Sequence, residues 1–292
     1  MAETYPDGRR ELKQAAMGQT GEHLARSSAP VLDISPRERR EVVRPKVALR
    51  GVSMVFNPHG KAVHVLDDID LDVVEGEFLC LLGPSGCGKS TLLNIVGGFL
   101  RPTSGDVRID GDVVRGPDPR RIYMFQERGV FPWLTVTGNI GFGLGHLDKA
   151  ERQRRIKHYI ELVGLQGFET AYPHELSGGM KQRVEVARAL AVNPDVLYLD
   201  EPFGALDSIT RLQMRVELLR IWAAEQKTIL FVTHDIEESV QLADRIVVLS
   251  ARPGRVQRVV KIDMPHPRDL SSRRYLELRD GIFQEIGLAH QV

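Results

Sequence analysis

The sequence holds no apolar run of about 18 residues, the length a helix needs to cross a bilayer, so no single segment is expected to span a membrane. Cysteine is scarce. Cys80 and Cys87 are the only two, which excludes a disulfide scaffold and makes a reducing cytosol the simplest setting. Neither sign of charge is in excess: 39 Lys and Arg stand against 39 Asp and Glu. Nucleic-acid binding through bulk charge needs a basic surplus that displaces counterions, so no nucleic-acid partner is expected. The N-terminus lacks the apolar core of a secretory leader and carries acids throughout, unlike an export or transit peptide. What is present is an ordinary soluble composition, 42% hydrophobic and 27% charged over 292 residues, enough chain for a full core and about two lobes.

Residues 1 to about 45 mix Arg, Glu, Ser, Gly and Pro with few regularly spaced apolar positions. Such a segment buries too little to offset chain entropy and reads as a disordered tail or a docking arm for a partner. From Val47 the pattern changes. Val47 to Phe56 and Leu66 to Val74 read as short strands, with Glu75-Gly76-Glu77 as a turn. Phe78 to Leu82, Val196 to Leu199, Thr228 to Val232 and Arg245 to Leu249 are apolar runs, as expected of strands buried on both faces. Cys80 is then a small core residue. Helical stretches between the runs predict an α/β parallel sheet. Residues 132–190 hold no comparable run and read as helices, for example Ala150 to Val163, a helical lobe inserted into the core. The main domain is bounded at 46–256, and 257–292 is a C-terminal tail with a last helix near Ser271 to Leu288. Tyr275, Leu278, Ile282 and Ile286 share one face of it, for packing against the core or for a dimer contact.

Gly83-Pro84-Ser85-Gly86-Cys87-Gly88-Lys89-Ser90-Thr91 fits the pattern G-x-x-x-x-G-K-[ST]. It follows a buried strand and opens a helix, Lys89 to Val96. The glycines let the backbone fold around phosphate with its N–H groups inward, and the helix N-terminus adds partial positive charge. Lys89 can reach the β- and γ-phosphates, and Ser90 offers a hydroxyl to Mg²⁺. Cys87, crowded within the loop, is given no redox role.

Val196 to Leu199 ends in Asp200, Glu201 and Pro202. Ligands of open α/β sheets bind at the carboxyl ends of strands, so Asp200 is expected beside the phosphate loop, holding Mg²⁺ through water. Glu201, one residue further, is placed to polarise an attacking water as general base. Thr233-His234-Asp235 follows the next buried strand, so His234 reaches the same edge and can fix the water and Glu201.

Ser177-Gly178-Gly179-Met180 opens another helix, with Met180, Val184, Ala187 and Ala191 on one face. A Ser-Gly-Gly step at a helix N-terminus is a second anion site. Two phosphate-binding devices with one set of acids imply a head-to-tail pair of chains, each nucleotide held by the loop of one copy and the Ser-Gly-Gly of the other.

On these motifs the sequence resembles the ATP-binding subunits of ABC transporters over about Val47 to Val256. Gly83 to Thr91 matches the Walker A motif, Leu197 to Pro202 Walker B, and Leu176 to Met180 the signature. Gln126, in Phe125-Gln126-Glu127, matches the glutamine that contacts Mg²⁺ and the attacking water. Ala205-Leu206-Asp207 matches the D-loop, His234 the switch histidine, and Phe56 the aromatic that stacks on adenine. The resemblance implies a P-loop NTPase (RecA-like) parallel-sheet core with an N-terminal antiparallel β subdomain and an inserted α-helical subdomain. It also implies ATP and Mg²⁺ as ligands.

Gly129 to Val136, Tyr172 to Leu176, Glu201 to Asp207 and Arg252-Pro253-Gly254-Arg255 are similar to the nitrate/sulfonate/taurine importer subfamily, in which Met180 is usual. This implies a homodimer of ATPase subunits, transmembrane permease subunits, an extracytoplasmic substrate-binding protein reached through the permease, and a place on the cytoplasmic face of the membrane. Phe131-Pro132-Trp133-Leu134 is then either core or part of a groove for a permease helix. The alternative is a soluble ABC ATPase not coupled to a permease. The short span from Gly83 to Leu176 leaves no room for the long coiled coil of repair and chromosome ATPases, and an Asn-Lys-x-Asp guanine reader is absent.

Overall fold

The computed structural model describes residues 44–125, 129–204 and 206–286. The tail expected over residues 1 to 45 lies outside them but for its last two residues, as do Gln126, Glu127, Ala205 and the end of the last helix expected to reach Leu288.

In chain order, β1 (Val47–Phe56) and β2 (Val63–Val73) pair antiparallel, β3 (Phe78–Leu82) leads into α1 (Lys89–Gly97), and β4 (Ser104–Ile109) and β5 (Asp112–Val113) follow. Next come β6 (Arg121–Met124), α2 (Val136–Ile140), α3 (Lys149–Leu162) and α4 (Gly178–Ala191). The chain then alternates β7 (Val196–Asp200), α5 (Ser208–Glu225), β8 (Thr228–Thr233), α6 (Ile236–Leu242) and β9 (Arg245–Leu249), and closes with β10 (Val256–Lys261) and α7 (Arg273–Glu285). Strands β2-β1-β4-β5 form an antiparallel sheet, and β10-β9-β3-β8-β7-β6 a larger one whose strands are parallel apart from β10.

The apolar runs are explained by what covers them. Phe78, Cys80 and Leu82 enter a core shared with α4 to α7, whereas Leu79 and Leu81 enter another shared with α1 and the antiparallel sheet. Leu197 and Leu199 against Val196 and Tyr198, and Ile229 and Phe231 against Leu230 and Val232, divide in the same way. A strand with both faces covered cannot alternate with polar residues, because each buried large apolar side chain contributes about 1.5–3 kcal/mol. Burial pushes the Cys80 thiol well up, in keeping with a core residue.

Besides the mixed β1 and β2, four strands carry no such run. β4 and β5 are largely exposed, β6 is half-buried, and β10 is an exposed edge. Each is held mainly by backbone pairing and buries few side chains, Val107 and Ile109 in β4 and Met124 in β6, so local hydrophobicity does not mark them. β10 continues the large sheet beyond Val256, where the sequence placed only a tail.

Candidate functional site

α1 begins unlike the other α-helices. Thr135, Asp148, Ser177, Asp207, Asp235 and Ser272 cap α2 to α7 through their side chains. α1 follows Gly88, left-handed at φ +110°, with no side-chain cap. A Cβ at Gly88 would lie 2.7 Å from Leu66 Cδ2, so both space and conformation require glycine. The first turn of α1 therefore faces the loop with backbone donors and positive dipole, the arrangement that binds phosphate.

Lys89 is only 5% exposed, and its ammonium donates to Gly83 O at 2.8 Å and Pro84 O at 3.1 Å, which holds it over the loop. Ser90 Oγ donates to Asp200 Oδ1 at 3.0 Å. Tyr123 OH donates to Asp200 Oδ2 at 2.9 Å. Burial pushes the Asp200 carboxyl up, opposed by these two hydrogen bonds. Burial and the Asp200 charge raise the Tyr123 phenol, which keeps it a donor. Sequence reasoning missed Tyr123; its one signal is the β6–β7 register, which sets Tyr123 beside Tyr198, two positions before Asp200.

Glu201 stands just past β7 at φ +45°, its N–H donating to Val232 O at 2.9 Å. A non-glycine residue held there costs about 1–3 kcal/mol, a strain found where a side chain must be aimed. His234 Nδ1 lies 3.1 Å from Glu201 Oε2. The turn that carries His234 is tied to α6: Thr233 Oγ1 donates to Glu238 Oε2 at 2.7 Å and accepts from Asp235 N at 3.0 Å. Arg215 of α5 completes this joint, donating to Asp235 Oδ2 at 2.9 Å and Glu238 Oε1 at 3.0 Å. Burial pushes the Glu238 carboxyl up, opposed by Thr233 and Arg215.

A cavity of about 620 Å³ gathers Phe56, Val65, Ser85, Gly86, Gly88, Lys89, Ser90, Thr91, Glu201 and Arg252 on its wall. Gly83, Pro84 and Cys87 complete the loop behind it, and burial raises the Cys87 thiol, consistent with no redox role. Ser177, Gly178, Gly179, Met180 and Asp207 are not part of that wall. Ser177 is exposed and caps α4 by accepting from Met180 N at 3.2 Å. Asp207 is exposed and caps α5 by accepting from Thr210 N at 3.0 Å, which holds its carboxyl below the usual range. The two caps adjoin, since a Cβ at Gly179 would come within 2.8 Å of Thr210 Cγ2. Met180 packs against the core. Gln126 lies outside the described residues.

Trp133 is 69% exposed, and Phe131 packs between it and Phe142 at ring distances of 5.5 and 4.4 Å. The Arg188 guanidinium lies 4.6 Å over the Phe131 ring. The stretch is therefore a surface aromatic cluster rather than core. No helix among the described residues is long and apolar enough to cross a membrane.

The ABC transporter family profile matches residues 66–204. An uncharacterized ABC transporter ATP-binding protein of Methanocaldococcus jannaschii is 48% identical over 247 residues, covering 84% of this chain and 92% of that protein. An aliphatic sulfonates import ATP-binding protein of Bacillus cereus is 44% identical over 239 residues, covering 82% and 95%. Among solved structures, the dimeric structure of a bacterial ABC transporter cassette is similar at a TM-score of 0.65 and 34% identity, covering 75% of this chain and 99% of that one. A post-hydrolysis state of that cassette bound to ADP and Pi is similar at a TM-score of 0.64 and 33% identity, with the same coverage.

Proposed function

Because this chain belongs to the family of ABC transporter ATP-binding proteins and is an ATPase, we propose that it powers import of a small molecule of the nitrate, sulfonate or taurine kind. The observation that carries the catalytic part is that Glu201 shares one cavity with Lys89 and Ser90 and meets His234 at 3.1 Å. The 44% identity to an aliphatic sulfonates import protein supports the cargo class.

Lys89 and the loop amides bind the β- and γ-phosphates, and Phe56 stacks on adenine. Ser90 and Asp200 fit Mg²⁺: both present hard oxygen atoms, and Asp200 is a buried carboxyl whose hydrogen-bond partners are two hydroxyls. With the Gln126 side chain they would hold the ion, which when bound neutralises phosphate charge. Glu201 accepts a proton from the water that attacks the γ-phosphorus, the bond to the β,γ-bridging oxygen breaks, and ADP leaves with that electron pair. His234 holds Glu201 in place. The work is positioning and electrostatics more than covalent chemistry.

Ser177, Gly178, Gly179, Met180 and Asp207 act on the nucleotide of a second copy. Their absence from the wall of their own cavity, together with the likeness to a cassette solved as a dimer, supports this. The half-buried Phe131 with the exposed Trp133 and Phe142 supports a docking surface for a cytoplasmic permease helix, and docking there would put the chain at the cytoplasmic face of the membrane. An extracytoplasmic binding protein would deliver cargo to that permease.

The test is co-purification from membranes and an ATPase assay with reconstituted permease. A multi-span protein retained with the chain, and turnover raised by a sulfonate-loaded binding protein, are the results expected. Full turnover by the isolated chain with no membrane protein retained would replace this reading with a soluble ATPase.

A further inference from the structure

We propose that Arg252 is a second cation of the nucleotide cavity and contacts the triphosphate directly. The inference rests on the nucleotide reading above and adds to it a residue that lies 163 positions beyond Lys89 in the sequence.

Three observations converge. First, Arg252 lines the same cavity as Lys89 and Ser90. Second, its Nε and Nη2 both donate to Gly86 O, at 3.1 and 2.9 Å, which seats the guanidinium on the phosphate loop itself. Nη1 has no protein acceptor among the described residues. Third, Arg252 has no carboxylate partner among them, whereas its neighbours in the fold do: Arg255 pairs with Asp67, and Arg245 with Glu77 at 2.7 Å. An arginine with no counter-charge, set on a loop built to bind anions, has spare donors for one. Its planar fork suits phosphate oxygens better than an adenine ring or a ribose hydroxyl.

The backbone fixes this arrangement. Gly254 N donates to Val65 O at 2.8 Å, and Gly254 O accepts from Asp67 N at 3.0 Å, so the turn after β9 is pinned to β2. Ser250 Oγ donates to Pro253 O and accepts from Arg255 N, both at 3.0 Å, and closes the turn on itself. β2 supplies Val63 and Val65 to the cavity wall, so Arg252 is carried on the same frame as the nucleotide site.

A rival role is purely mechanical, with Arg252 a strut for Gly86. Three variants separate the two. Arg252→Gln keeps a donor for Gly86 O without charge, Arg252→Lys keeps charge without the fork, and Arg252→Ala removes both. Binding of ATP and of adenosine is measured at equilibrium in EDTA over a range of salt. Loss of a charge-assisted contact predicts about tenfold weaker ATP binding for the Gln and Ala variants, partial recovery with Lys, and a shallower salt dependence of ATP binding. Adenosine binding stays unchanged. Arg252→Gln binding ATP as tightly as wild type would leave the strut alone and overturn the proposal. If wild type itself bound no ATP, the nucleotide reading would fall, and this inference with it.

Discussion

Ser90 Oγ donates a hydrogen bond to Asp200 Oδ1 at 3.0 Å across 110 residues of sequence, joining the first turn of α1 to the end of β7. Through it the loop proposed to bind phosphate and the strand that ends in acid become one site. Asp200→Asn keeps an oxygen acceptor for Ser90 but removes the charge. Turnover in saturating Mg²⁺ is expected to fall at least about 100-fold, while nucleotide binding in EDTA stays within about threefold. Steady-state assays and equilibrium binding check both; a variant with near wild-type turnover would remove Asp200 from the metal site.

Glu201 and His234 form the second pair. Glu201→Gln is expected to bind ATP normally and to lose about 10²–10⁴-fold in turnover, the worth of a general base. ATP should then hold two copies together, visible as a doubled mass by light scattering. Wild-type turnover would exclude the base assignment.

The signature is expected to act between copies. Ser177→Arg, placed in a Glu201→Gln background, should abolish the ATP-held dimer. The affinity of the single copy for ATP should stay unchanged, because Ser177 is not on its cavity wall. A dimer that survives the change, seen in the same light-scattering measurement, would refute the shared site.

Arg215 reaches from α5, the helix capped by Asp207, to the turn that carries His234. Arg215→Met removes the nearer of the two cations of the buried Glu238 and leaves it only Arg211 at 4.0 Å, a change expected to cost about 3 kcal/mol of stability in urea denaturation. Should the loss be below about 1 kcal/mol, the joint contributes little and His234 is positioned by other means.

His266 sets a pH dependence of folding. Burial and the nearby Arg268 charge hold its imidazole at about 3, below the ordinary 6.5. Between those values the unfolded chain takes up a proton that the folded chain refuses. The stability from neutral His266 is thus fully present above pH 6.5 and is lost as pH falls toward 3, by up to about 1.4 kcal/mol per pH unit. His266→Phe should flatten that part of the curve. Trp222, with its ring 5.6 Å from His266, is a fluorescent probe for the measurement, and equal slopes in both proteins would dismiss the assignment.

Much of the candidate site is legible in the sequence. The phosphate loop, Asp200, Glu201 and His234 are strand-loop-helix features, and a strand end with its next few residues is written contiguously. Ser177 and Asp207 were legible as motif residues, but that each caps a helix through its side chain is seen only in the structure. Strands β4, β5, β6 and β10 were not legible, because each buries at most two side chains, too few to form a run, and is held in its sheet mainly by backbone pairing.

Contiguous residues alone settle which groups this chain can bring to a nucleotide, for local spacing dictates whether a helix starts on glycine amides or a strand ends on acid. Which distant residues join them was decided by the packed fold. Tyr123 on Asp200, Arg215 between Asp235 and Glu238, and Arg252 on Gly86 meet only when strands and helices far apart in sequence lie side by side. Long-range packing has no period in the sequence, so those partners are visible only once the sheet is assembled.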